Sequence, residues 1–301
     1  MNLPKIFRNR VKLAESLRLH TTFRIGGRAP YWFEPKNSRE LIRFLRDPNI
    51  SLPLFVIGAG SNLLIHDGFI KRIFIHLKSA DFNKIRIRGT IVTVGAGVKI
   101  GRLISVLSSR NLGGYEFLAG IPGTIGGALA MNAGARTDLD SPASYKEMKD
   151  IVSQVEVLDR GGQRSTLKKG DLKFSYRNSS LRPYIIVSAK LKLKAADKNK
   201  VRERIKKIIR NRLKNQDWQY PSAGSFFKNP AQGDSAGRLI DACRLKGLKI
   251  GGAQVSEKHA NFIINRKKAK AQDVIRLMDT VTQKVYRRFK IKLTPEVEIV
   301  S

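Results

Sequence analysis

Cysteine and histidine are scarce in this 301-residue chain, which limits the chemistry its own side chains can perform. The single cysteine, Cys243, excludes an internal disulfide. The histidines are His20, His66, His76 and His259, and their separations match no metal-ligand spacing. We therefore expect no metal site, and any chemistry beyond acid–base catalysis must come from an organic cofactor.

Long apolar runs are also missing. No segment reaches the roughly 18 residues that a membrane-spanning helix needs. The N-terminal sequence MNLPKIFRNRV has no apolar core of the kind found in signal peptides. The sequence therefore predicts a cytoplasmic protein that does not bind a membrane.

Acidic residues are few, with 24 Asp and Glu against 58 Lys and Arg, so the formal net charge is +34. Such a charge suggests nucleic acid or an anionic membrane as a partner, because cationic patches gain affinity there by releasing counterions. The Lys and Arg are spread along the whole chain, however, and aromatic residues that would stack on bases are not interleaved with them. We expect a monomer without a nucleic-acid partner, and a basic nucleic-acid-binding protein is the alternative from another functional class.

Apolar residues, in contrast, are numerous enough for a folded core, at 42% of the chain with 14 Phe. Predicted strands at 54–58, at 260–265 and in a short β meander over 72–97 alternate irregularly with helices over 37–46 and 271–289. Because no strand–helix–strand rhythm appears, the sequence predicts an α+β fold rather than a doubly wound α/β fold.

Three segments are predicted to lie outside this core. Residues 1–20 are expected to form a basic leader with some helix, and the polar residues 136–150 to form an exposed loop. The very basic segment 198–216 has helical length and is predicted to mark a domain boundary.

The stretch YEFLAGIPGTIGGALAMNAGA (115–135) is the most informative part of the chain. It contains five glycines and five alanines, so a large flat or phosphate-bearing ligand can approach its backbone N–H groups closely. The alternative is a small-residue helix buried in a core. Pro122 and Gly123 form a turn dipeptide within the stretch and favour the ligand-binding interpretation.

A second glycine loop directly follows the predicted strand 54–58. Its sequence GAGSNLL (58–64) resembles a dinucleotide fingerprint, but Leu63 stands at the third glycine position, which disfavours a standard Rossmann unit. Ser61 and Asn62 and the loop backbone supply donors that suit a diphosphate. A further segment, TFRIGGR (22–28), places Arg24 beside a glycine pair, where its guanidinium can bind a phosphate.

Seven motifs in this order resemble those of the UDP-N-acetylenolpyruvoylglucosamine reductases, a family of flavoproteins. The resemblance extends from about residue 20 to the C-terminus. The motifs are TFRIGG (22–27), IGAGSNLL (57–64), LAGIPGTIGG (118–127), MNAGA (131–135), YR (176–177), PSAGSFFKNP (221–230) and PEV (295–297).

The resemblance implies the fold and the domains. A two-lobed FAD-binding domain of the vanillyl-alcohol-oxidase (PCMH) type would cover 21–195, with lobes of about 21–80 and 81–195. A C-terminal α+β substrate-binding domain would cover 196–301, and its last strand would carry Glu296 back to the active site.

The resemblance also implies the reaction. Such enzymes hold FAD non-covalently, take hydride from NADPH and reduce the enolpyruvyl ether of a UDP-sugar to UDP-N-acetylmuramate in peptidoglycan precursor synthesis. A flavin oxidase of the same fold that acts on a sugar or alcohol is the alternative among redox enzymes.

The resemblance assigns catalysis to Arg177, Ser225 and Glu296. Adding hydride to the vinyl carbon moves charge toward the carboxylate, so an arginine with a permanent charge and a forked head suits the enolate. Glu296 could share this role only if protonated, which burial near another carboxylate would favour, and Ser225 would protonate the adjacent carbon. The alternatives are a surface arginine, a turn serine and an edge-strand carboxylate.

The remaining site residues follow from the same motifs. The cofactor-binding residues are predicted to be Arg24, Gly58, Ala59, Gly60, Ser61, Asn62, Leu63, Gly120, Ile121, Pro122, Gly123, Thr124, Gly127, Asn132, Ala133 and Gly134. The substrate-binding residues are predicted to be Tyr176, Lys228, Asn229 and His259, with Lys214 or Arg212 as further contacts of the diphosphate. For His259 a purely structural histidine is an equal alternative.

The chain departs from the family pattern in three places. Relatives usually continue the NAGA motif with Tyr-Gly, whereas this chain has Arg136 and Thr137 followed by extra residues up to Asp150. A common Gln-Pro pair is Gln216-Asp217 here. The segment between Arg177 and Asp197 leaves no room for the tyrosine-bearing insertion of the longer subgroup, so the chain resembles the shorter subgroup.

Overall fold

The structure, a computed structural model, describes residues 5–137, 144–231 and 234–301. The helices are α1 (Ser38–Leu45), α2 (Ile100–Leu107), α3 (Ile125–Ala130), α4 (Met148–Ile151), α5 (Lys198–Asn215), α6 (Ala236–Ala242) and α7 (Ala271–Phe289). Short 3-10 helices cover Lys5–Arg10, Leu17–His20, Ala80–Asn83, Glu116–Leu118 and Lys169–Asp171.

The strands are numbered in chain order. They are β1 (Val11–Ser16), β2 (Arg28–Phe33), β3 (Leu54–Ile57), β4 (Leu63–Ile65), β5 (Ile73–His76), β6 (Ile85–Arg88), β7 (Ile91–Gly95), β8 (Leu112–Gly113), β9 (Gly134–Arg136), β10 (Tyr145–Glu147), β11 (Val152–Leu158), β12 (Arg164–Lys168), β13 (Phe174–Ser175), β14 (Asn178–Ser179), β15 (Ile185–Lys192), β16 (Lys194–Ala195), β17 (Ser222–Ser225), β18 (Lys249–Ile250), β19 (Ala253–Val255), β20 (Phe262–Asn265) and β21 (Glu298–Val300). This mixture confirms the predicted α+β class.

Helices α1 and α7 form where the local sequence predicts them. The Asn37 side chain caps α1 by accepting a 2.9 Å hydrogen bond from the Glu40 backbone N–H. Helix α7 buries apolar residues at helical spacing, so one face packs on the core while the other stays polar. These residues are Val274, Leu277, Val281 and Val285.

The chain divides into two compact units. The first contains the N-terminal residues up to Lys12 together with Tyr31–Ala59 and Ile73–Arg212. The second contains Leu13–Pro30, Gly60–Arg72 and Leu213–Ser301. No helix among the described residues combines the length and the hydropathy that crossing a bilayer requires.

A five-stranded antiparallel sheet forms the centre of the first unit, with strand order β12, β11, β15, β7, β6. Its middle strand is β15, in which Ile185, Ala189 and Leu191 are buried in the core. A separate parallel arrangement places β5 between β3 and residues Tyr31–Phe33 of β2.

The predicted β meander over 72–97 is wrong in one respect. Strands β6 and β7 form the expected hairpin, but β5 joins the parallel sheet instead. The physical reason is the continuous run Ile73, Phe74 and Ile75, in which every residue is fully buried. Such a run suits a strand covered on both faces rather than an antiparallel strand with one solvated face.

The N-terminal segment up to Lys12 belongs to the first unit, whereas Leu13–His20 belong to the second. Phe7 is fully buried, with its ring centroid 5.8 Å from that of Phe33 and 5.2 Å from that of Phe44. Helix α5 contains the boundary between the two units, since the first unit ends at Arg212 within the predicted boundary segment 198–216, and three of its apolar residues belong to the core of the first unit. These residues are Val201, Ile205 and Ile208.

The polar segment 136–150 is not an exposed loop throughout, which corrects the prediction for its described residues. Strand β10 pairs with β9 in antiparallel register, and Tyr145 lies opposite Arg136. Met148 begins α4, is fully buried and donates its backbone N–H to the Ala133 carbonyl at 2.9 Å. The remaining residues of the predicted loop, 138–143, lie outside the described residues.

In the second unit, α6 and α7 pack with an antiparallel sheet of order β17, β20, β19, β18. The C-terminal strand β21 pairs in parallel with β4, so Glu298 lies opposite Leu63. The second glycine loop is thereby held directly beside the end of the chain.

Candidate active site

The two glycine loops meet within the first unit at Gly58 and Thr124. A Cβ at position 58 would lie 2.5 Å from the Thr124 hydroxyl, closer than packed side chains allow. Gly58 therefore lets the loop after β3 approach the loop before α3. The sequence does not predict this approach, although it predicts both loops.

The stretch 115–135 forms a turn followed by a short helix. The predicted turn at Pro122 and Gly123 is present, since Gly123 has a φ of 146° and α3 covers only Ile125–Ala130. Thr124 caps α3, and its hydroxyl accepts a 3.3 Å hydrogen bond from Gly127 N–H. Ile121 is half-buried and Pro122 is exposed. The alternative of one long buried helix is therefore wrong.

Arg212 covers the first glycine of this turn. A Cβ at Gly120 would lie 2.6 Å from the Arg212 Cδ, so the aliphatic stem of the arginine runs across the bare backbone. Burial, and to a lesser degree the positive charge of Arg177, lowers the pKa of Arg212. The structure thus brings two predicted anion-binding arginines near each other in the first unit.

The NAGA motif supports the fold with its side chains. Asn132 is fully buried at a φ of 44°; its amide donates to the Ser175 carbonyl at 3.2 Å and its Oδ1 accepts from Lys149 N–H at 3.1 Å. Ala133 and Gly134 use backbone groups to hold Met148 and to pair with Glu147. Cofactor binding by these three residues stays a prediction.

Arg177 lies at the tip of a hairpin between β13 and β14. With Tyr176 it forms the two-residue turn, and its φ is 55°. Its Nη1 donates a 2.7 Å hydrogen bond to the Tyr145 hydroxyl, and its guanidinium carbon lies 5.0 Å from the Tyr176 ring centroid. Tyr176 is 42% exposed, and substrate binding by this residue stays a prediction.

In the second unit, Gly60 lets a neighbouring segment of the chain pack against its backbone, so that this backbone is not open to a ligand. Its φ is 60°, and a Cβ there would overlap the His20 carbonyl. The Gly60 carbonyl accepts from Thr22 N–H at 3.3 Å. Arg24, three residues after Thr21, is exposed at a φ of 53° and donates its N–H to the Thr21 carbonyl.

Ser225 and Glu296 come together in the second unit. Ser225 ends β17, and the carbonyl of the next residue, Phe226, accepts from Glu296 N–H at 2.8 Å. The Asn62 amide donates to the Glu296 carbonyl at 3.0 Å, and the Asn62 carbonyl accepts from Glu298 N–H at 2.9 Å. Hydrogen bonds therefore link the backbone next to Ser225, the Glu296 backbone and Asn62 of the glycine loop. Ser61 and Ala59, the other loop residues, are half-buried.

The three substrate-binding residues predicted in the second unit have different surroundings. Lys228 N–H bonds the Thr294 carbonyl at 2.9 Å, which holds the KNP turn next to the PEV motif. Asn229 is exposed, and its Oδ1 accepts from Ala236 N–H at 3.1 Å. Burial, with a smaller effect of the Lys246 charge, lowers the pKa of His259, whose ring centroid lies 4.5 Å from that of Phe262.

Tyr145 is the site residue that sequence reasoning missed. It was part of a segment predicted to be an exposed loop, and no motif includes it. Its pairing with Arg136 across β9 and β10 is the structural reason that it reaches Arg177. No group of three or more His, Cys, Asp or Glu side chains within the described ranges is arranged to hold a metal ion.

Comparisons with known proteins identify the family of this chain. Residues 216–300 match the family model for the C-terminal domain of UDP-N-acetylenolpyruvoylglucosamine reductase, and residues 29–168 match the FAD binding domain. A UDP-N-acetylenolpyruvoylglucosamine reductase 2 from Symbiobacterium thermophilum is 40% identical over 293 residues, which cover 96% of this chain and 92% of that relative. The chain belongs to the UDP-N-acetylenolpyruvoylglucosamine reductase family.

Further members of this reductase family match along nearly the whole length. The enzyme from Moorella thermoacetica is 42% identical over 289 residues, which cover 95% of this chain and 91% of that relative. The crystal structure of the reductase from Thermus caldophilus superposes with a TM-score of 0.84 at 35% identity, covering 97% of this chain and 99% of that one. The predicted family, the α+β fold with an FAD-binding domain, and the assignment as an FAD-dependent oxidoreductase are confirmed.

Proposed function

We propose that this chain reduces the enolpyruvyl ether of UDP-N-acetylglucosamine to UDP-N-acetylmuramate in the synthesis of peptidoglycan precursors. The observation that carries the proposal is the 2.8 Å bond from Glu296 N–H to the Phe226 carbonyl. It supports the proposal because it brings the Glu296 backbone to the residue that follows Ser225, in a chain whose family is established by sequence and fold.

The first unit fits a non-covalently bound FAD. Gly58 lacks the Cβ that would collide with Thr124, so two loops rich in backbone donors converge there. We assign FAD to Gly58, Ala59 and the turn from Gly120 to Thr124, together with the predicted residues of the NAGA motif. Held there, FAD would supply the hydride chemistry, which is acceptance from NADPH and delivery to the vinyl carbon of the substrate.

Arg177 is assigned to the substrate carboxylate. Hydride addition to the terminal carbon of the enolpyruvyl group moves negative charge toward that carboxylate, and a fixed cation lowers the energy of the resulting enolate. A guanidinium keeps its charge at any relevant pH and matches the two carboxylate oxygens. Arg177 lies in a two-residue hairpin turn, and its guanidinium donates a hydrogen bond to the Tyr145 hydroxyl.

Ser225 is assigned to protonate the carbon next to the carboxylate. A hydroxyl is a weak acid in water, but a carbanion beside it is a strong base and proximity makes the transfer effective. Glu296, whose backbone bonds to Phe226 and Asn62, is assigned to the enolate oxygens as a hydrogen-bond donor, in the carboxylic-acid form that donation requires.

The nucleotide diphosphate of the substrate is assigned to cationic and amide side chains. Lys228 and Asn229 belong to one turn in the second unit and supply an ammonium and an amide group. Tyr176 is exposed enough to contact the sugar or uracil. His259 is assigned as a neutral polar contact, because burial lowers its pKa.

We further propose that the enzyme acts as a cytoplasmic monomer without a nucleic-acid partner. The UDP-sugar and NADPH that it would use are polar and anionic, and a strongly cationic chain attracts them from solution. The distribution of Lys and Arg along the entire chain favours this over one nucleic-acid-binding patch.

The experiment is a spectral and kinetic assay of the purified protein. It should be yellow, release FAD on denaturation, and oxidise NADPH only when the enolpyruvyl nucleotide is present. Arg177→Ala and Glu296→Ala should each lower kcat by about 100-fold or more while FAD stays bound. The exposed Arg86→Ala and Glu203→Ala are matched controls that should retain the full rate.

Two results would contradict the proposal. Oxygen consumption with a sugar or alcohol and no NADPH requirement would identify a flavin oxidase. A colourless protein with tight, salt-sensitive DNA binding would identify a nucleic-acid-binding protein. Near-normal rates in both site variants would remove the residue assignment while leaving the activity in place.

A further inference from the structure

The position of Arg177 calls for support from outside its own hairpin. The hairpin has only two residues in each strand, with Phe174 opposite Ser179 and Ser175 opposite Asn178. An isolated ribbon of this size has little stability of its own. A guanidinium at its tip, on a long side chain with several rotatable bonds, therefore needs a fixed partner to keep one orientation.

Tyr145 is such a partner. Its hydroxyl oxygen accepts a 2.7 Å hydrogen bond from the Arg177 Nη1. The tyrosine lies on β10, which is paired with β9 at the end of the NAGA motif, so its position is set by the strand pair. Glu147 at the end of β10 and Met148 at the start of α4 are both buried and anchor this strand in the first unit.

The chemistry of this contact suits a catalytic arginine. A phenol is neutral, so it orients a guanidinium without offsetting its charge, whereas a carboxylate in the same place would compete with an anionic substrate. A guanidinium has five N–H donors, and the bond to Tyr145 uses one of them. The other N–H groups lie in the same plane, so their directions follow from the orientation of the guanidinium.

The orientation of the Arg177 guanidinium is also affected by a second cation, Arg212. Arg212 lies near enough for the charge of Arg177 to act on it, and burial together with that charge lowers the pKa of Arg212. Two guanidinium groups in one half-buried region repel each other until an anion binds between or beside them. A hydrogen bond to a neutral acceptor opposes the displacement of Arg177 that this repulsion favours.

We propose that Tyr145 is a positioning residue for the reaction. It holds the Arg177 guanidinium, despite the repulsion from Arg212, in the orientation that receives the substrate carboxylate. The proposal rests on the role given to Arg177 under the proposed function. Tyr145 comes from the segment in which this chain departs from the family pattern, and it lies across the strand pair from Arg136, which follows the NAGA motif.

The test removes the hydroxyl and keeps the ring. In the FAD-loaded full-length enzyme, Tyr145→Phe should lower kcat by about 10-fold, the loss expected for one hydrogen bond to a charged group. The dissociation constant of the enolpyruvyl nucleotide, followed by the change in flavin absorbance, should rise about 3-fold to 10-fold for the same reason. Reduction of the flavin by NADPH alone should be unchanged. Tyr184→Phe, a half-buried tyrosine of the same unit, is the matched control.

A double variant separates positioning from other roles. If Tyr145 acts through Arg177, adding Tyr145→Phe to Arg177→Lys should change kcat by less than about 2-fold, because coupled residues are not additive. An equal 10-fold loss in both backgrounds would overturn the proposal, as would an unchanged rate in Tyr145→Phe.

If Tyr145→Phe lost thermal stability or FAD content in proportion to its loss of activity, Tyr145 would have a merely structural role. This result would also overturn the proposal. The failure of the proposed function looks different: no turnover of the enolpyruvyl substrate would then be found in the unsubstituted protein. A normal rate in Arg177→Lys would remove only the role given to Arg177.

Discussion

Gly58→Ala is the sharpest test of how the two glycine loops fit together. The substituted Cβ would lie 2.5 Å from the Thr124 hydroxyl oxygen, and the next nearest atoms, the Thr124 Cγ2 and Cβ, would lie at 3.5 and 3.6 Å. The φ of Gly58 is not in the left-handed region, so alanine is compatible with the backbone itself. The expected conflict is therefore with one oxygen atom.

The magnitude follows from what that oxygen does. To relieve the overlap, Thr124 must rotate its hydroxyl away from Gly58 and give up the cap on Gly127, which costs about 1 kcal/mol. Residual overpacking adds about 1 kcal/mol or more. We expect Gly58→Ala to lower the free energy of unfolding by about 2 kcal/mol and to weaken FAD binding, because both loops are assigned to the cofactor.

A second substitution provides the internal control. Thr124→Ala alone should cost about 1 kcal/mol through loss of the cap. In that background Gly58→Ala meets only ordinary van der Waals distances and should cost nothing, or stabilise by up to about 1 kcal/mol through the unfolded state. The coupling energy between the two sites is thus about 2 kcal/mol.

The assay is urea denaturation of the four proteins of this cycle, with FAD affinity measured by fluorescence. Gly101→Ala is the control for the chemical change alone, since a Cβ at this exposed position in α2 meets nothing within 4 Å. If Gly58→Ala destabilises equally with and without Thr124, the close approach of the two loops is not the cause and the reasoning fails.

Two further predictions concern the second unit. Burial alone would raise the pKa of Asp273, but hydrogen bonds from two backbone N–H groups and from Arg276 lower it. A lowered carboxyl pKa contributes stability that is present above the ordinary value of 3.8 and is lost as the pH falls through the folded value. Asp273→Asn should therefore destabilise at pH 7 by about 1 to 2 kcal/mol, and the difference should vanish in denaturation curves near pH 2. Asn62→Ala removes the donor to the Glu296 carbonyl and should reduce kcat by about 5-fold with little change in FAD content, as single-turnover kinetics and flavin absorbance would show.

Local sequence signals were sufficient for the elements whose cause is local. Helix α1 begins beside Asn37 because the asparagine side chain caps it, and α7 follows its apolar spacing from Val274 to Val285. The turn at Pro122 and Gly123 was predictable for the same reason, since it depends on the conformations of adjacent residues.

Elements that depend on distant partners were not predictable in this way. Strand β5 has the composition of any short buried strand, and only its position between β2 and β3 removes it from the meander. The sequence around Gly60 predicts an open phosphate-binding loop. In the structure, however, the carbonyl of His20, forty residues earlier in the chain, occupies the space where a Cβ of residue 60 would lie. No local pattern encodes such a contact.

The same distinction separates the residues that would contact ligands from those that position them. Arg177, Ser225 and Glu296 lie in recognisable motifs, because the reaction dictates their residue types. Their supports are long-range: Asn62 holds the Glu296 backbone across 234 positions, and Tyr145 reaches Arg177 through a strand pair in a segment that differs from the family pattern. A support needs only to present one oxygen or amide at the right place, so many sequences can supply it and only the folded chain identifies which residue does.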